Sequence, residues 1–267
     1  MIIQQFIFSM YEKIISHLNI DEIATNFPQG LYDSRWWSIE SYYEELSANR
    51  GIGLGIVKQL VSNPSSIEFI FAGYRDANKS KELLDLAKQH SNIIIPIQID
   101  VNDDESCNKA KGEVENKLGN SQGLNCLLNN AGVNKDLKFN DINEQDMLDT
   151  YKQNVIGPWR VTKTFLPLVE KAVSGERNVL QASIINVSSA ALNMFTVCFA
   201  ETLAKSNIYI ALLHPGWVKT DMGGAQAPLT TEKACKNIVE CINSMKDEHY
   251  GKLIDSTSGS SCAILPF

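Results

Sequence analysis

The feature that most constrains this chain is an alternation. From residue 49 onward, short apolar runs rich in β-branched residues are separated by segments of helical periodicity. Helix-like GLGIVKQLV precedes strand-like IEFIFAGYR at 67–75. KSKELLDLAKQ is helical, and IIIPIQIDV at 93–101 is β-rich. SCNKAKGEVENKL is helical again, and LNCLLNNAG at 124–132 is a short strand ending in a turn. Residues 144–171 read as one long helix, with Pro158 and Pro167 as irregularities. ASIINVSS at 182–189 is a strand, ALNMFTVCFAETLAK a helix, and IYIALLHPG at 208–216 another strand. Short apolar strands alternating with helices predict an α/β fold, a doubly wound parallel sheet covered on both faces. Ligands of such sheets bind beyond the carboxyl ends of the strands. Here those ends read GYR, DV, NNAG, NVSS and HPG.

Composition narrows the function classes. The 267 residues are enough for one large domain that needs no disulfide staples. A net charge of −7 without a basic block argues against a nucleic-acid partner. No apolar run is long enough to span a bilayer. The six cysteines form no CxxC pair and no Cys/His cluster of zinc spacing, so no metal is expected. Reduced, mostly buried thiols in a reducing compartment are. The acidity is uneven: residues 1–48 hold seven carboxylates and two cations, so −5 of the −7 lies there. This break divides an atypical segment, 1–47, from a domain, 48–267. Ile3, Phe6, Ile7, Met10, Ile14 and Leu18 fall at helical spacing and predict a packing helix, with membrane-surface association the minority reading because the helix has only one Lys. The start lacks a basic leader and a small-residue cleavage site, which makes the cytoplasm the expected compartment.

Asn49, Arg50, Gly51, Ile52 and Gly53 precede an apolar helix. Glycines in such a turn let the backbone approach a pyrophosphate, and the helix N-terminus attracts the anion. The context departs from a dinucleotide site, which needs a hydrophobic strand just before the loop. SIESYYEEL, with Glu40, Glu44 and Glu45, is a poor central strand, and Ser47 stands where the first loop glycine is expected. Strand 67–75 ends in Arg75, where an acidic residue would bind a free ribose 2′-hydroxyl. With Arg50 in the loop opposite, two guanidiniums suit a 2′-phosphate, favouring NADP(H) over NAD(H).

ANRGIGLG, the aspartate of QIDV, NNAG, the asparagine of QNVIGP, INVSS and HPGWVKTDMGG occur in this order. The set resembles the short-chain dehydrogenase/reductases, and within them the sniffer-type and C-factor carbonyl reductases. The resemblance covers about Ala48 to Phe267 and implies a Rossmann-like fold. It also implies NADPH-dependent reduction of a small-molecule ketone or aldehyde, with NADP(H) along the strand ends. Carried over, Asn49 to Gly53 border the pyrophosphate, and Asp100 and Val101 flank the adenine. Asn130, Ala131 and Gly132 follow the ribose, while Pro215, Gly216, Val218 and Thr220 close over the nicotinamide half. His214 matches a usual family residue and reads as structural. Met194, Phe195, Phe199 and Leu203 form an apolar stripe that reads as core or as a homodimer interface.

The family's chemistry requires a tyrosine and a lysine one helical turn apart. The tyrosine passes a proton to the substrate oxygen, and the lysine lowers a phenol pKa that is otherwise about 10. No Tyr-x-x-x-Lys occurs in this chain, and Ser188-Ser189 runs directly into Ala190-Ala191-Leu192-Asn193. Asn154 and Ser189 match the family's catalytic asparagine and serine, although Ser189 also sits where the lysine would precede AALN. The bland readings are Asn154 bonding backbone and Ser189 as a junction residue. The chain as written is expected to be inactive or nearly so. A non-catalytic nucleotide-binding or dimerising relative is the alternative, and the clean edges at residues 47 and 189 suggest exon skipping or an incomplete gene sequence.

Overall fold

The computed structural model describes residues 48–62, 67–133, 141–173, 182–187 and 190–266. The segment 1–47 and its expected helix lie outside them. All the elements below belong to one unit, Ile39–Leu265. In chain order they are α1 (Gly51–Ser62), β1 (Ile70–Tyr74), α2 (Lys81–Gln89), β2 (Ile94–Gln98), α3 (Asp104–Leu118) and β3 (Cys126–Asn129). Then come α4 (Glu144–Tyr151), a π-helical turn (Lys152–Ile156), α5 (Gly157–Lys171), β4 (Ser183–Val187), α6 (Ala190–Lys205) and β5 (Tyr209–His214). The chain continues through α7 (Thr231–Ser244), a 3₁₀ turn (Asp247–His249), β6 (Leu253–Asp255) and β7 (Ala263–Leu265).

The alternation is therefore realised as the sequence predicts, with two additions. The 144–171 helix is interrupted by the π-helical turn, and the C-terminal part adds α7, β6 and a final strand. β7 runs antiparallel to β6, so the sheet is not wholly parallel. α3 begins two residues before the expected Ser106, because the Asp103 carboxylate accepts the amides of Glu105 and Ser106 as an N-cap.

Among the described residues the sheet comes in two parts, β1–β2 and β3–β4–β5–β6–β7. Main-chain groups alternate sides along a strand. Ile70 and Tyr74 bond across to β2, so the Gly73 carbonyl points to the opposite edge of β1. There it accepts the Ala48 amide at 3.0 Å, which places the start of the glycine loop on that edge. Pro96 lies in β2, an edge strand, with its missing N–H on the outer side.

Helices bridge the two parts. Ile52 and Ile56 of α1 pack with Ile185, Ala211, Leu213 and Ile238 beneath β4, β5 and α7. Leu54 and Val57 of the same helix pack with Ile70, Ala72, Leu83 and Ile94. On the opposite face, Ile97 of β2 meets Val114 of α3 and Val161, Phe165 and Leu168 of α5, with Leu127 of β3 against them. Ile184 and Ile210 complete that face with Val169 and Leu203. Consecutive residues of β4 and β5 thus feed opposite cores, which explains why these strands are apolar throughout. In the stripe on α6, Leu203 is buried and Phe199 is exposed. All six cysteines are free of disulfides, but only Cys107, Cys235 and Cys241 are buried, which corrects the expectation that most are.

α1 approaches α7 closely because residue 55 is glycine. A Cβ on Gly55 would lie 2.4 Å from the Cys235 sulfur, itself fully buried. Gly55→Ala gains about 1 kcal/mol of helix propensity but incurs an overpacking cost of about 1–3 kcal/mol, so a net loss of stability is expected. Pairing it with Cys235→Ala removes the nearest atom. Denaturant unfolding of the four proteins in that cycle should give a favourable coupling energy.

Candidate active site

The strand ends collect most of the expected residues. The glycine loop is held from two directions: by Ala48 on Gly73, and by the Asn49 side-chain amide donating to the Lys79 carbonyl at 3.1 Å. Gly51 has φ 53°, a left-handed conformation that glycine adopts without steric cost. The first bond of the α1 ladder runs from the Leu54 amide to the Arg50 carbonyl, so the Gly51, Ile52 and Gly53 amides stand ahead of the ladder. The first turn carries no carboxylate. This donor set, at the positive end of a helix dipole, is suited to an anion.

Arg50 and Arg75 are not brought together by any direct contact. Arg75 is exposed just beyond β1, and its carbonyl accepts the Gln98 side-chain amide at 3.1 Å. Arg50 instead pairs with Asp221 at 3.0 Å, with their side chains 24% and 73% exposed. That ion pair joins the glycine loop to the loop after β5. The latter loop is tied internally: Trp217 Nε1 donates to the Gly223 carbonyl at 2.6 Å, Lys219 and Leu229 bond through their backbones, and Thr220 Oγ1 accepts the Gly223 amide. Val218 is buried and bridges Leu229. Gly216, at φ 77°, follows Pro215, and a Cβ there would lie 2.6 Å from the Thr257 methyl group.

Asp100 and Val101 follow β2. Asp100 caps its own turn through the Asn102 amide at 2.9 Å. The Val101 carbonyl accepts from Arg160, whose Nε also donates to Asp104 at 2.5 Å. Asn130, Ala131 and Gly132 follow β3. Both amide groups of Asn154 hold Val133 next to them: Oδ1 accepts its N–H at 2.7 Å and Nδ2 donates to its carbonyl at 2.6 Å. Asn154 lies in the π-helical turn, an irregularity often found at functional sites. Its observed contacts are those of the bland reading, fixing the loop after β3. Ser189 lies outside the described residues. Only two residues, 188 and 189, separate the end of β4 from the start of α6.

A buried polar chain beneath the site was not legible in the sequence. The Asn129 amide donates to Asn186 Oδ1 at 2.8 Å and to Thr162 Oγ1 at 3.0 Å. Asn186 donates to Thr196 Oγ1 at 2.7 Å, and Thr196 donates to the Leu192 carbonyl. It couples β3, β4, α5 and α6, and the one sequence signal was asparagine and threonine within otherwise apolar runs. Two tyrosines are committed elsewhere: the buried Tyr209 donates to the Lys246 carbonyl and the half-buried Tyr250 to the Ala200 carbonyl. Among the described residues no group of three or more His, Cys, Asp or Glu could hold a metal, and no helix is long and apolar enough to cross a membrane.

The family profile of the short chain dehydrogenases matches residues 46–229. The chain is a short-chain dehydrogenase/reductase. Carbonyl reductase Sniffer of D. melanogaster superposes with a TM-score of 0.77 at 33% identity, covering 82% of this chain and 96% of that one. The NADPH-bound carbonyl reductase from chicken fatty liver gives a TM-score of 0.77 at 30% identity, with the same coverage. Short-chain dehydrogenase anuI of Penicillium roqueforti is 27% identical over 233 residues, 78% of this chain and 91% of the relative. This dehydrogenase/reductase resembles the sniffer-type reductases, as its motifs imply. A second profile, that of HCNGP-like protein, matches residues 9–52 and meets the first at 46–52, close to the break in composition.

His214, at the end of β5 of this reductase relative, carries a pH dependence. Burial lowers its pKa below the ordinary 6.5, against the opposing pull of the Asp255 carboxylate. The folded state therefore disfavours the extra proton that the unfolded chain binds. Stability is complete above pH 6.5 and falls as pH drops below it, until the folded imidazole also titrates. Thermal unfolding across this window should show the decline, and His214→Asn should flatten it.

Proposed function

We propose that this chain is an NADP(H)-binding oxidoreductase of the carbonyl-reductase type whose nucleotide side is retained and whose proton-transfer side is lost. It would hold NADPH with little or no turnover. The observation that carries this reading is the two-residue link between β4 and α6, in a chain with no Tyr-x-x-x-Lys. In the family reaction NADPH supplies a hydride to a ketone or aldehyde carbon, and the substrate oxygen must then be protonated.

The residues present fit the nucleotide. The amides of Gly51, Ile52 and Gly53 face a pyrophosphate, with Asn49 anchoring the loop. Arg50 and Arg75 supply charge for a 2′-phosphate. Asp100 and Val101 border the adenine, and Asn130, Ala131 and Gly132 the ribose. Pro215, Gly216, Val218 and Thr220 form the loop over the nicotinamide half. Arg50 must exchange Asp221 for the phosphate. An exposed pair is worth at most about 1 kcal/mol, whereas a charge-assisted bond to a phosphate is worth about 1.5–3 kcal/mol, so the exchange is favourable. On the proton side, Asn154 is a positioning residue for the loop after β3, and in a chain without Tyr-x-x-x-Lys the Ser189 hydroxyl is a poor proton donor near neutral pH.

Fluorescence titration with NADPH and NADH is the direct test. NADPH should bind at least about tenfold more tightly, and Arg50→Ala should reduce that preference while leaving NADH binding unchanged. With a panel of small ketones and aldehydes, NADPH oxidation should be slower than that of an intact family member by a factor on the order of 10³ or more. Turnover at the intact rate would overturn the loss of the proton side. Absence of NADPH binding would overturn the nucleotide side.

The clean edges at 47 and 189, with two family profiles meeting at the first, favour a second reading: a variant product of a gene that also encodes the intact reductase. Tryptic mass spectrometry of the natural protein separates the two. The peptide Asn178–Lys205 spans the junction, and its recovery intact shows the short link to be real. Flanks joined by an inserted Tyr-x-x-x-Lys segment would identify the intact form.

A further inference from the structure

The C-terminal part of the fold holds two thiols that the nucleotide site does not use. Cys241 is fully buried on α7, and Cys262 is half-buried just before β7. The Cys262 sulfur lies 3.2 Å from the Cys241 carbonyl, so the two cysteines are in direct contact. Cys262 also lines a surface cavity of about 640 Å³ with Asn243, Lys246, His249 and Ser261, so one of the two sulfurs is open to small solutes.

The backbone between them is already fixed. Asn237 on α7 donates to the Thr257 carbonyl, and Ser256 Oγ donates to the His214 carbonyl at 2.9 Å. Gly259, at φ 63°, sits so close to α7 that a Cβ there would lie 2.4 Å from Glu240. The segment bearing Cys262 is thus clamped on the helix bearing Cys241. The Cys262 sulfur rests on the Cys241 backbone, and orientation of the two residues decides which dithiols close.

We propose that Cys241 and Cys262 form a dithiol site that closes to an intramolecular disulfide when a peroxide or a small disulfide such as oxidised glutathione enters the cavity. With peroxide, the Cys262 thiolate takes one oxygen to become a sulfenic acid, and the peroxide's other oxygen leaves as hydroxide. The Cys241 sulfur then attacks the sulfenic sulfur, and water leaves. With oxidised glutathione, Cys262 displaces one glutathione thiolate to form a mixed disulfide, and Cys241 displaces the second. Each route removes two electrons and two protons from the pair. Cys262, on the cavity, reacts first; burial pushes the Cys241 thiol well up, so it serves as the second partner. The site lies on the same helix that packs against α1, so closure staples α7 to the last strand and raises Tm.

The experiment treats the full chain with hydrogen peroxide, or separately with oxidised glutathione, and then blocks free thiols and digests with trypsin without reduction. Cys241 lies in Asn237–Lys246 and Cys262 in Leu253–Phe267, so the disulfide appears as these two peptides joined, less two hydrogen atoms. The joined species should dominate, disappear on reduction and be absent from Cys262→Ser. That variant changes only the half-buried thiol and keeps the test valid should Cys241→Ser fail to fold. The oxidised wild type should melt a few degrees above its reduced form. Over-oxidation or glutathionylation of Cys262 without the joined peptides would overturn the proposal. So would a cross-link found only between two chains.

Discussion

The structure depends on α1 lying across a sheet that, among the described residues, comes in two parts. One helix face reaches β4 and β5 through Ile52 and Ile56, and the neighbouring face reaches β1 and β2 through Leu54 and Val57. Each of these buried side chains contributes about 1.5–3 kcal/mol by area. The Ala48–Gly73 backbone bond, the polar link at the same place, is worth about 1 kcal/mol. Packing therefore outweighs hydrogen bonding there by several fold. On the opposite face α3 and α5 carry out the same task with Val114, Val161, Phe165 and Leu168. The two sheet parts are held in one fold by helices on both sides.

This has a consequence for the site. The α1 N-terminus meets the strand ends because the rest of α1 is locked into the core, so the amides of Gly51, Ile52 and Gly53 are placed by apolar packing. The link between β4 and α6 is different in kind. It is two residues long and follows the carboxyl end of β4. Below it, α6 is fixed on β4 by the Asn186–Thr196 bond and by Leu203 against Ile184 and Ile210. Under the proposed reading, a short link between β4 and α6 is therefore compatible with retention of the fold.

The strands and helices were legible because both faces of the sheet are buried and the runs are short and apolar. The C-terminal elements α7, β6 and β7 were not; the two strands are three residues each and flanked by polar turns. The π-helical turn was also hidden, since Lys152–Ile156 carries no local signal; it becomes visible only through the two bonds from Asn154 to Val133. The glycine loop could be read from spacing. The partner of Arg50 could not, because Asp221 lies 171 positions away and meets it only when the loop after β5 folds back over the strand ends. The Thr162–Asn129–Asn186–Thr196 chain escaped for a similar reason. Each residue looks like a lone polar interruption until the fold brings the four together and satisfies them.

The unequal exposure of Arg50 and Asp221 gives the ion pair a direction. Arg50 is the more enclosed member, so its guanidinium is held near the glycine loop whichever anion it faces, whereas Asp221 is mostly in water and loses little when released. Asp221 travels with a loop stiffened by Trp217 on Gly223 and by Val218 on Leu229. In the proposed complex a phosphate that takes Arg50 also frees the loop that closes the other end of the same ligand. The two ends of the cleft are then coupled through one charge. That coupling needs no proton donor, so a chain without the catalytic pair can still respond structurally to the nucleotide.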